Sequence, residues 1–274
     1  RSSDLLYSQV MQRNRPKTID KNKIPCQVFF SFEDELTDIA TFLFLQAKYS
    51  ETREFVDPKN YTYEEMASYV GNLYASMGWK PIIERIDPTA WTYKDAFNYI
   101  IGLEAQGYSV EGLWLGYMML LPTTGCIQGA QGESLRDMLR RFRNFCMARG
   151  AIFYTPHQLS TDAKVLLRGI CTDSQFAKEV AEKGYSAGSK QLDQELDLEF
   201  YHHIFKHGKD TYLSMQRGKH RGAKHIQDEE KSFILKFPNN MMPIPDDLPE
   251  DPIIKRVGAS TRSSGENADL VNIL

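Results

Sequence analysis

No apolar run in this chain approaches the roughly 20 residues that a bilayer-spanning helix needs. The opening segment RSSDLLYSQV lacks the basic, apolar and small-residue layout of a secretory signal. The expectation is a cytoplasmic protein with no membrane partner. Cysteine is scarce as well. Cys26, Cys126, Cys146 and Cys171 lie far apart and form no C-x-x-C pair, which argues against zinc and against a disulfide framework in a chain of 274 residues. Neither sign of charge dominates: 33 Lys and Arg stand against 36 Asp and Glu, a formal net charge of -3. That balance excludes a polybasic coat for nucleic acid, though a local cluster of cations can still hold a phosphate backbone. Missing too is any G-x-x-x-x-G-K-[ST] segment, the loop whose amides and lysine cradle nucleotide phosphates. GYSAGSK, GKHRGAK and GASTRSSG all have the wrong order, and no internal repeat is present.

What is there is ordinary for a folded domain: 42% hydrophobic and 25% charged residues. The segment Leu5 to Met11 reads as a helix. CQVFFSFE, rich in β-formers, reads as a buried strand. DELTDIATFLFLQAKYS then puts Leu36, Ile39, Ala40 and Leu43 on one helical face, and TYEEMASYVGNLYASMG is a second helix closed by Gly78. KPIIERID, GLWLGYMMLL and AIFYTP are further strands. TYKDAFNYIIGLEAQG is a helix between the first two of them. GESLRDMLRRFRNFCMARG is a helix with Leu135, Met138, Leu139, Phe142 and Cys146 on one face and Arg136, Arg140 and Arg143 on another. Strands alternating with helices of this length predict an α/β domain with a mostly parallel sheet. From Thr161 to Lys190 the pattern weakens into a polar stretch. LDLEFYHHIF and TYLSMQRGKHRG then predict an antiparallel hairpin. The division expected is one core over residues 1–245 and a flexible polar tail over 246–274.

In a parallel sheet, ligands gather beyond the carboxyl ends of the strands. The polar residues there are Glu33, Asp87, the PTTG turn, His157 and Gln158; Arg217, Lys219, His220 and Arg221 follow later. An acid to activate water, an amide to sense a phosphate and cations to neutralise charge suit phosphoryl chemistry. Each has a plainer reading. Glu33 can cap the following helix, where acids are favoured. Gln158 can be a loop residue, QRGKHRG a solvated turn, and the three arginines a wet helix face.

Taken in order, these segments resemble the RecA-like motor domain of DnaB-type replicative helicases, phage-encoded ones especially, over residues 1–240. FFSFEDELTDIATFLF resembles the strand ending in that family's catalytic glutamate. LRDMLRRFRNFCMARGAIFYTPHQLS resembles the helix and strand ending in its phosphate-sensing glutamine, and LSMQRGKHRG the segment with its arginine finger. The resemblance implies ATP and Mg²⁺ as cofactors. Glu33 would polarise the attacking water and Gln158 would report the γ-phosphate. Arg217 would reach into a neighbour's site with Lys219 beside it, although Met215 stands where the family often has a lysine. Lys164, Arg168 and Lys190 would face single-stranded DNA. Partners implied are further copies in a ring, a hexamer by resemblance, and a primase or helicase loader.

Two departures accompany it. Gly116 stands where the family has the aspartate that holds the water shell of Mg²⁺, and Glu111 lies at the other end of that strand. At the N-terminus RSSDLL stands against a GKSDLL type of ending, so that Ser3 matches the Mg²⁺-binding hydroxyl and Ser2 replaces the lysine. The expectation is a chain beginning inside or just after a phosphate loop, or else a short paralogue without one. Two alternatives to a helicase follow: a catalytically dead RecA-like subunit that binds DNA or protein, and a RecA-like recombination or annealing ATPase.

Overall fold

The computed structural model describes residues 21–129, 132–167, 171–183, 185, 192–222 and 231–237. Ser2, Ser3, Arg168, Lys190, the helix expected over Leu5–Met11 and the tail over 246–274 lie outside them. The chain divides into two compact units, the first running to Gln158 and the second beginning at Leu159.

In the first unit IPCQVFFS forms β1 (Ile24–Ser31), buried along nearly its whole length as a strand covered on both faces must be. The FLFL run follows in α1 (Leu36–Thr52), which stops at Arg53 in the left-handed conformation, φ 60. A capping box starts α2 (Tyr63–Ser76): the Glu65 amide donates to the Thr62 hydroxyl and the Thr62 amide to the Glu65 carboxylate. The helix closes before Gly78, φ 84. β2 (Lys80–Arg85) leads to α3 (Tyr93–Ala105), capped in the same way by Thr92 and Asp95. Then come β3 (Tyr108–Leu115), α4 (Glu133–Met147) and the short β4 (Ile152–Tyr154).

The four strands pair in parallel in the order β2-β1-β3-β4. On one face Phe29, Leu43, Tyr74, Trp79 and Trp114 share a core with α1 and α2. On the other, Phe30 meets Trp91 and Tyr99, and Phe142 of α4 stacks on Phe153 at 5.0 Å. The predicted apolar face of α4 is buried at all five positions.

β3 ends earlier than GLWLGYMMLL suggests. After Leu115 the chain bends at Gly116, Tyr117 takes φ 33, and Met118–Leu120 form a 3-10 turn. Met118 and Leu121 are buried while Met119 and Leu120 are exposed. A continuous apolar run does not by itself tell a strand from such a turn.

In the second unit α5 (Ala163–Leu166) and α6 (Phe176–Lys183) precede a 3-10 turn, Leu192–Glu195. β5 (Leu198–His207), β6 (Asp210–His220) and β7 (Ser232–Lys236) form an antiparallel sheet in that order. The expected hairpin is therefore two strands of three. The polar stretch after Thr161 holds a core of Ala163, Leu166, Phe176, Ala177 and Val180 against Tyr201. Helices this short offer too few periods to stand out from their polar setting. Among the described residues no helix is long and apolar enough to cross a membrane.

Candidate active site

Because all four strands of the first unit are parallel, their carboxyl ends open on one edge. Glu33 emerges there two residues beyond β1, Asp87 two beyond β2, Gly116 directly after β3, and Gln158 four beyond β4. β1 and β4 flank β3, so their axes are about 10 Å apart, twice the usual inter-strand spacing.

Glu33 is exposed, and no described residue binds its carboxylate. The turn that presents it is fixed from beneath: the buried Ser31 hydroxyl donates to the Asp34 carbonyl at 2.7 Å. The capping reading does not hold, since the N-cap of α1 is Glu35, which makes no side-chain cap. Glu35 pairs instead with Arg85 at 3.1 Å. Asp87 is committed locally. The Thr89 hydroxyl and amide donate to it at 2.7 and 2.8 Å, and these bonds hold its carboxyl below the usual range.

Beyond β3, the Met118 amide donates to the Thr155 hydroxyl oxygen at 3.2 Å, and Thr155 in turn donates to the Pro156 carbonyl at 3.3 Å. One side chain thus ties the ends of β3 and β4, three residues before the exposed Gln158. Nothing in the sequence marks Thr155 for that role. A second tie is readable in advance, because Asp137 and Arg141 have the i,i+4 spacing of a helical ion pair. Asp137, 6% exposed, accepts from Arg141 Nε at 2.7 Å and from the Ile127 amide at 3.0 Å, anchoring the loop after β3 to α4. Arg141 also donates to the Tyr93 hydroxyl at 3.0 Å. Burial, the largest single influence, pushes the Asp137 carboxyl up. The bonds from Arg141 and Ile127, with the charges of Arg141 and Arg140, together bring it below its ordinary value.

The thiols are not nucleophiles. Burial pushes Cys26 and Cys146 up to about 12, and all four cysteines are free.

The remaining candidates belong to the second unit. Lys164 is exposed on α5. Arg217 is half-buried on β6, opposite Phe200 of β5, and its Nη1 lies 3.4 Å from His220 Nδ1. Lys219 donates to the Asp193 carbonyl and Arg221 to the Gln194 carbonyl, so both cations are engaged with the turn ahead of β5.

Mg²⁺ does not fit the described residues. No group of three His, Cys, Asp or Glu among them could hold a metal ion, and glycine at the end of β3 offers no ligand atom.

Among curated proteins, no sequence is similar enough to this chain to count as a relative. Two solved structures share its fold. One is an isolated ATPase domain, 12% identical with a TM-score of 0.52, over 87% of this chain and 78% of that one. The other is a DnaB-like replicative helicase, from a structure that describes its interactions with primase. It is 13% identical with a TM-score of 0.51, over 86% of this chain and 55% of that one. The present chain therefore spans about half the length of that helicase. A model of the divergent DnaB-like ATPases matches residues 3–268. With a parallel sheet of the RecA-like kind and a family match over nearly its whole length, the chain belongs to the divergent DnaB-like ATPases.

Proposed function

We propose that this chain is the motor core of a DnaB-like replicative helicase, with ATP as its substrate and single-stranded DNA as its track. The observation that carries the reading is the carboxyl edge of the parallel sheet. An exposed acid bound by no described residue and an exposed amide, Glu33 and Gln158, leave it from strands two steps apart.

Glu33 takes the proton of the attacking water as the water oxygen bonds to the γ-phosphorus and the bond to the β-phosphate oxygen breaks, releasing ADP. Gln158 donates its amide to the γ-phosphate, and the Thr155 tie carries that contact to the loop after β3. Arg217 of an adjacent copy neutralises the charge that develops. Lys219 assists after leaving the Asp193 carbonyl. Ser2 and Ser3 belong to the phosphate-binding end of the site. Lys164, Arg168 and Lys190 hold phosphates of the DNA, with affinity that falls as salt rises. Copies form a ring, a hexamer by family resemblance, with a primase or a helicase loader as further partners. No step is assigned to Mg²⁺.

The test is ATP turnover by the intact protein with and without single-stranded DNA. Glu33→Gln is expected to cut DNA-stimulated turnover by about 100-fold or more, the usual contribution of a general base. Melting should be unchanged, because the side chain is exposed. Equal turnover in wild type and variant removes Glu33 from the mechanism. A second reading, a subunit that binds DNA or partner proteins without hydrolysis, is favoured by Gly116. It requires that the wild type turn over no ATP under any DNA condition.

A further inference from the structure

The DnaB-like resemblance puts at position 116 the acid that steadies a divalent cation. The glycine found there has a steric cause. Gly116 makes the last backbone bond between β3 and β1, donating its N–H to the Phe30 carbonyl at 2.9 Å. A Cβ at position 116 would come 3.2 Å from that same carbonyl oxygen and 3.6 Å from the Phe32 backbone nitrogen. Neither atom belongs to a side chain that could swing aside. The carbonyl is held in place by the bond from residue 116 itself, so moving it to admit a side chain stretches the bond that ends the strand. β1 cannot follow cheaply, because it is an interior strand with Phe30 fully buried. Tyr117 leaves the strand at φ 33, and Met118 is tied to Thr155 of the neighbouring strand end. The end of β3 is thus fixed from both sides.

We infer that this strand end is closed to any side chain, so that a divalent cation arriving with a nucleotide receives no carboxylate from β3, and that restoring the acid does not restore the ligand. The other acids on that edge do not substitute as a set: Asp87 is engaged by Thr89 and Glu35 by Arg85. The inference needs no hydrolysis, so it stands or falls separately from the motor reading.

The experiment compares melting of Gly116→Ala and Gly116→Asp with two controls, Gly71→Ala and Gly102→Ala. The control glycines lie in α2 and α3, and an added Cβ there meets nothing within 4 Å. Both control variants should melt at or above wild type, since alanine favours helix over glycine. Gly116→Ala should melt lower, by about 2–4 °C or more. Gly116→Asp should either fail to fold or fold with no new Mn²⁺ site, read by the EPR signal of free Mn²⁺ with and without ATP. Two results would overturn the inference. One is a Gly116→Ala protein as stable as wild type. The other is a folded Gly116→Asp protein that binds Mn²⁺ with ATP at least tenfold more tightly than wild type does.

Discussion

Glu33 and Arg53 mark the two ends of what a single residue reveals in advance. Glu33 has two readings on sequence alone, helix cap and catalytic acid. Only the position of the true N-cap, two residues on at Glu35, removes the first. Arg53 gives no warning. Helices commonly close on glycine in the left-handed region, yet α1 closes on an arginine at φ 60 whose amide donates to the Tyr49 carbonyl at 2.8 Å. Since an L residue there carries a conformational cost that glycine escapes, Arg53→Gly is expected to raise the melting temperature by about 2 °C. A lower melting temperature would mean that the guanidinium over the Tyr49 ring outweighs the backbone term. Gly116 lies between these cases. Its identity is legible as a departure from the family's acid, but its cause, the Phe30 carbonyl on the next strand, requires the register of the sheet.

At the scale of elements, the long amphipathic segments are legible because their periodicity is enforced by burial. The five apolar positions predicted for α4 are all in the core, and β1 and β2 begin and end close to their predicted bounds. What periodicity misses are pieces shorter than a period or two: the turn inside GLWLGYMMLL, α6, and β7. The loop after β3 owes its shape to a contact between elements, the Asp137 carboxylate under the Ile127 amide. Asp137→Asn is accordingly predicted to cost about 1–3 kcal/mol at neutral pH, as a buried carboxylate that accepts two bonds loses its charge. The folded carboxyl titrates below its ordinary value, so its contribution is present above the unfolded pKa of about 3.9 and is lost as pH falls through the lower folded value. The stability gap between wild type and Asp137→Asn should therefore be constant from about pH 5 upward and close in more acidic solution. A gap independent of pH down to the acid transition would remove the charge from the explanation.

For the whole molecule, the alternation of strands and helices is enough to predict the α/β class, and the ordered segments point to the DnaB-like ATPases, to which the chain belongs. The second sheet is foreseen only as a hairpin. The motor proposal goes further than either, because it divides one chemical site between copies: Glu33 and Gln158 from the parallel sheet of one, Arg217 from β6 of the next. That division is the account's central claim, and mixing two variants tests it most directly. Glu33→Gln and Arg217→Ala should each abolish DNA-stimulated ATP turnover alone. When mixed, they should recover it at roughly a quarter of the interfaces, where an intact glutamate meets an intact arginine across a heterologous contact. A mixture as inactive as its two components, although both co-assemble by sedimentation, would contradict the account.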